Sequence, residues 1–148
     1  MHPKYKIIIK EGETYSTHTA ETLTFLTNKG LPVVSASYYK DVIDADGKKD
    51  QEKVAVIIDE YTSWLYQSTN AFDRNGKLIY HGDLLKDEQG ILYEVMYAVG
   101  SYFIVKDDAP LMLLDEHVRK LVVVGNIIEN YDLIKVDATP LEAVADKV

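Results

Sequence analysis

The feature that most constrains this chain is the punctuation of its second half. From Trp64 onward, short runs of β-branched and aromatic residues alternate with turns built on Gly, Asn and Asp, at roughly 8–12-residue spacing. Trp64–Thr69, Ile91–Tyr97, Tyr102–Val105 and Leu121–Ile127 read as strands. Asn75-Gly76, Asp87-Glu88-Gln89-Gly90 and Gly100 read as the reversals between them. Such a pattern folds into a small antiparallel barrel or sandwich. Eleven Tyr against three Phe and one Trp point the same way, because a Tyr ring packs on a half-buried sheet while its hydroxyl stays wet.

The first half is patterned differently. Tyr5–Lys10 reads as a strand turned by Glu11-Gly12. Residues 19–26 read as a short helix, with Thr19 as N-cap, Leu23 and Leu26 on one face, and Asn28-Lys29-Gly30 as the stop. Val33–Ile43 and Lys53–Tyr61 read as two strands joined through the turn at Asp44–Lys49. Val54–Ile58 is so continuously apolar that it predicts a strand covered on both faces. The expected class is α+β, mainly β. A β-α-β-β portion occupies 1–63, a β domain 64–136, and a weakly helical tail 137–148. Leu113–Lys120 and Glu129–Ile134 read as single helical turns.

Composition narrows the function. With 148 residues and 47% apolar content, the chain can bury a real core. It has no Cys, so no disulfide and no thiolate metal site is available. Met1-His2-Pro3-Lys4 does not read as a signal peptide, and the longest apolar runs are too short to span a bilayer. A cytoplasmic protein without membrane association is expected. The net charge is −8, with −2 on residues 1–63 (8 basic, 10 acidic) and −6 on the remainder (8 basic, 14 acidic). That balance repels phosphate backbones and disfavours direct nucleic-acid binding.

Two segments resemble the YopX-like proteins of phages and prophages. Asp73-Arg74-Asn75-Gly76-Lys77-Leu78-Ile79-Tyr80-His81-Gly82-Asp83 is similar to a D-x-N-G-x-x-I-Y-x-G-D signature. Val123-Val124-Gly125-Asn126-Ile127-Ile128-Glu129-Asn130 is similar to a closing V-I-G-N-I-x-E-N pattern. The likeness covers about residues 64–134, and residues 1–63 carry no recognisable counterpart. It implies an SH3-like barrel in the second half. The shared positions Asn75, Gly76, Gly82, Asp83, Gly125 and Asn126 are turn and bulge residues, so they imply a shared fold and no particular reaction.

Chemistry-bearing constellations are weak. His2, His18, His81 and His117 show no metal-ligand spacing, and Asp44-Ala45-Asp46-Gly47 lacks the later ligands of a calcium loop. No cofactor or metal is expected, and no catalytic set stands out. The carboxylates Asp83, Glu88, Asp107, Asp108, Asp115 and Glu116 lie mostly in expected turns, where water would keep them ionised. Tyr93, Tyr97 and Tyr102, with Phe103 beside them and Tyr80 on the preceding strand, are the candidate interaction surface. The leading expectation is therefore a non-enzymatic accessory protein with a host or phage protein partner, and with self-association through an open sheet edge. Two alternatives stand beside it: an acidic mimic of nucleic acid that blocks a host DNA-binding protein, and a hydrolase with an unrecognised carboxylate site.

Overall fold

The computed structural model describes residues 3–107 and 111–133. The expected tail at 137–148 and His2 lie outside the described residues. The chain divides into two compact units, the first ending at Gln67 and the second beginning at Ser68.

The first unit is made of strands. β1 (Tyr5–Glu11) turns back into β2 (Thr14–Thr19), with Lys6 opposite Thr19 and Glu11 opposite Thr14. On its other side β1 pairs with the start of β6 (Ser63–Phe72), with Ile7 opposite Leu65. β3 (Thr22–Asn28), β4 (Leu31–Ile43) and β5 (Lys49–Ile57) form an antiparallel sheet in that order. The period of two puts Ile7, Ala36 and Tyr38 into one core, packed by Leu23, Val54, Val56 and Leu65.

The helix expected at 19–26 does not form; Thr22–Asn28 is β3, and the unit is not β-α-β-β. Thr22, Thr24 and Thr27 are β-branched and lose rotamer freedom in a helix. Eight residues are also too few to offset helix nucleation. All seven residues of β3 instead find cross-strand partners on β4. The stop signal at Asn28-Lys29-Gly30 is real, but it closes a two-residue hairpin. Lys29 and Gly30 take φ of 52° and 81°, the combination a type I′ turn requires. β2, too short and polar to stand out as a strand in the sequence, supplies a further one. β5 also departs from expectation. It is the edge of its sheet, with Val54 and Val56 against the core and Ile57 59% exposed.

The second unit contains the end of β6, β7 (Leu78–Tyr80), β8 (Asp83–Lys86), β9 (Leu92–Ala98), β10 (Ser101–Val105), β11 (Met112–Leu113) and β12 (Val122–Asn126). Five of these form a curled sheet in the order β11-β10-β9-β8-β12. It is a half-barrel and stays open, with β11 and β12 as its edges. The single turns expected near 113–120 are two 3-10 turns, Leu114–Glu116 and Val118–Lys120. Residues 131–133 form one turn of helix, and Ile134 lies outside the described residues. Ile79, Leu85, Val95, Ile104, Leu114 and Leu121 are the core, each at most 1% exposed. Burying each such side chain contributes about 2 kcal/mol.

Three hairpins use one device, Asp-x-x-Gly-x. In Asp44–Lys48, Asp73–Lys77 and Asp87–Ile91, the Gly N–H donates to the Asp carbonyl, and the Asp N–H donates to the carbonyl four residues on. The Asp Oδ1 then accepts two N–H groups of its own loop. The Asn75-Gly76 reversal is thus a four-residue loop centred on Asp73, with Gly76 at φ 82°.

A candidate interaction surface on the second unit

The two signature segments meet. Asp83 lies opposite Asn126 and Leu84 opposite Gly125, with a bulge between Val123 and Gly125. The Gly82 carbonyl accepts the Ile127 N–H at 2.9 Å, while the Gly82 N–H donates to the Val95 carbonyl at 3.0 Å. Asp83 is 2% exposed, and its Oδ2 accepts the Tyr80 N–H at 2.8 Å. Asp73 reaches across as well, its Oδ2 taking the Val123 N–H at 2.9 Å. At the closing segment, Asn126 Oδ1 accepts the N–H of Ile128 and of Glu129, and the Asn130 side chain accepts the Asn126 N–H. A Cβ on Gly125 would collide with the Asn130 side chain. Gly82, Asp83, Gly125 and Asn126 thus lie where β8 meets β12, while Asn75 and Gly76 bond only within the Asp73 loop.

The tyrosines divide between places. Tyr93, Tyr97 and Tyr102 share the core-side face of β9 and β10, since Tyr97 lies opposite Tyr102 and Val95 opposite Ile104. Tyr97 and Tyr102 meet edge-on, ring centroids 5.1 Å apart, and Tyr97 is 54% exposed. Tyr93 sits at the other end of that row, two residues beyond the buried Val95. Phe103 is on the opposite face, across from Met96 and Leu113. Tyr80 is half-buried on β7, and both burial and the Asp83 charge push its hydroxyl pKa upward.

Tyr93 lines a recess of about 240 Å³. Its apolar side is Ile104, Met112 and Leu121, and its polar rim is Asp87, Glu88, Gln89, His117 and Lys120. Here the Asp87 loop and the segment after β11 come together. The Ile91 and Gln89 N–H groups, with the Tyr93 hydroxyl 3.3 Å away, hold the Asp87 carboxyl below the ordinary carboxylate range. Burial, then the Asp87 charge, raises the Tyr93 phenol. Asp87, Met112, His117, Lys120 and Leu121 were not legible as a group, because only the tertiary fold joins residues separated by some thirty positions.

A second recess, about 60 Å³, contains Glu94, Lys106 and Asp107 beside Leu84 and Val105. Burial and the neighbouring Asp107 charge push the Glu94 carboxyl above its usual range. Two acids and a lysine thus share a shallow depression. Among the described residues, no group of three or more His, Asp or Glu is placed to hold a metal ion. No helix of the described residues is long and apolar enough to cross a membrane.

The described residues make a mainly-β protein whose strand pairs are antiparallel and whose second unit is an open, curled half-barrel sheet. The YopX protein family model matches residues 16–135, and the chain belongs to that family. The match takes in most of the first unit, well beyond the 64–134 suggested by the motifs. Protein EF1440 from Enterococcus faecalis, known from a crystal structure, is similar in fold, with a TM-score of 0.56 and 22% identity over 90% of this chain and 98% of that one. No curated protein matches.

Proposed function

We propose that this chain is a phage or prophage accessory protein that acts by binding another protein, through the recess at Tyr93. The carrying observation is the recess itself: an apolar floor of Ile104, Met112 and Leu121 inside a polar rim. At about 240 Å³ it falls below the usual range for small-molecule pockets and suits one inserted side chain, as at the centre of a protein interface. On this reading the half-barrel serves as an SH3-like platform and the partner is a cytoplasmic protein of host or phage origin. Tyr97 and Tyr102 extend the contact along the same face, and Tyr80 is a supporting position.

The acidic-mimic alternative draws less support. Asp44, Asp59, Asp73 and Asp87 each bind backbone N–H groups of their own turns, which fits a structural use of these carboxylates better than a phosphate-like row. The hydrolase alternative rests on Glu94 and Asp107, whose recess is too small to enclose a substrate bond and its flanking groups.

The test is capture from host lysate with the wild-type chain, Tyr93→Ala, Tyr97→Ala and Lys120→Glu. The specific partner band is expected to fall at least tenfold with Tyr93→Ala and Lys120→Glu. Lys120 is exposed, so its reversal leaves the fold intact. Unchanged capture by both variants rejects the recess.

A further inference from the structure

The three-stranded sheet of the first unit has two unlike edges. β5 carries Lys49, Asp50, Glu52 and Lys53, the charges that ordinarily deter strand addition. β3 carries no charge from Thr22 to Asn28, and it pairs only with β4 among the described residues. Two of its three apolar side chains face water: Phe25 is 77% exposed and Leu26 50%, with Leu31 across the hairpin at 68%, while Leu23 packs on the core. β2 is also an edge without carboxylates or lysines, but its rings are engaged. Tyr15 lies against Trp64, and His18 stacks on Tyr38 at 3.9 Å.

We infer that β3 is a self-association edge and that its occupant is β3 of a second copy, added antiparallel about a two-fold axis at Phe25. The hairpin geometry fixes which groups are offered. Asn28 and Leu31 flank the two-residue turn and form a hydrogen-bonded pair. Alternation then turns the N–H and C=O of Thr22, Thr24 and Leu26 toward β4. The N–H and C=O of Leu23, Phe25 and Thr27 point outward. A two-fold perpendicular to the sheet requires that a residue at its centre meet itself, so that both copies keep the same face. Centred on Phe25, the register sets Leu23 opposite Thr27, Phe25 opposite Phe25 and Thr27 opposite Leu23. Every outward-pointing group then has a partner. A shift of two residues either way leaves one such pair unmade.

Electrostatics favours the same strip. Two copies at −8 repel one another, and an uncharged strand is where they approach at least cost. No like charges face each other in this register, and the central aromatic pair adds a favourable cross-strand contact. This pairing uses residues of the first unit and the Tyr93 recess uses residues of the second, so the two readings can fail separately.

The experiment uses the absence of Cys from the chain. In Phe25→Cys, the two thiols would sit on Cα atoms about 5.5 Å apart, within disulfide reach. Mild oxidation is expected to give a covalent dimer in high yield, whereas Tyr61→Cys, at an exposed position off the strand, stays largely monomeric. Light scattering should show wild-type dimer that strengthens with added salt, as charge screening predicts. Phe25→Lys, which keeps the monomer fold because the side chain is exposed, should be monomeric at the same concentration. A wild-type chain that is monomeric at 100 µM, or a Phe25→Lys chain as dimeric as wild type, overturns the proposal. So does equal crosslinking of both cysteine variants. A strand from a different protein on this edge would appear as the first of these outcomes.

Discussion

Asp73 shows how much one side chain can organise. Its carboxylate accepts Asn75 and Lys77 N–H within its hairpin, and Val123 N–H fifty residues away. Removing it leaves three donors short of their acceptor in a site that is 6% exposed. Asp73→Ala is expected to cost about 3 kcal/mol in chemical denaturation, and Asp73→Asn, which keeps an acceptor, distinctly less. Glu94 behaves in the opposite sense. Its raised pKa means the fold disfavours its charge, so its contribution to stability falls as pH rises through and above the ordinary glutamate value of 4.5. Glu94→Gln should therefore raise Tm at pH 7, with the gain vanishing near about pH 4. An equal gain at both pH values would contradict the assignment. His18 follows the depressed case: burial lowers its pKa below 6.5, so stability is present above that value and declines as pH falls through the folded pKa.

At the scale of elements, the glycines separate two reasons for having no side chain. Gly76 has positive φ and open space where a Cβ would go, so Gly76→Ala should cost only the left-handed penalty, about 1 kcal/mol. Gly125 has ordinary backbone but no room, since Asn130 fills the place of its Cβ. Gly125→Ala should cost more, about 2–3 kcal/mol, by opening the Asn126–Asn130 loop. Equal losses for the two variants would contradict this account. Reversals such as Asp87–Gly90 were legible in the sequence because turn chemistry is local. The helix expected at 19–26 was a misreading for the same reason. Gly30 satisfies a helix terminus and a type I′ turn alike, and only the seven-residue pairing with β4 decides between them.

Across the whole molecule, the strand-rich class and the curl of the second unit could be read from residue patterns. In the first unit β1, β4 and β5 could be read as well, with shifted ends, but β2 and β3 could not. β2 is short and polar, and β3 looks helical until β4 is beside it. The family signature was visible but only half explained. It marks the residues that fasten β8 to β12, while the recess is formed by Tyr93, Met112, His117 and Lys120, of which only Tyr93 stood out beforehand. The recess shares Ile104 and Leu121 with the core, and Tyr93 and Met112 pack against it, while its polar rim is separate from the residues that fasten β8 to β12. Lys120→Glu, at an exposed position of the recess rim, should alter binding with Tm unchanged, and variants of Asp73 or Gly125 should lower Tm first.

The most direct measurement is amide chemical-shift mapping on the isotope-labelled chain, titrated with the partner recovered from lysate. Perturbations concentrated at Gln89–Tyr93 and Met112–Leu121 are predicted. A partner that binds while those amides stay unmoved would contradict the proposed role of the recess.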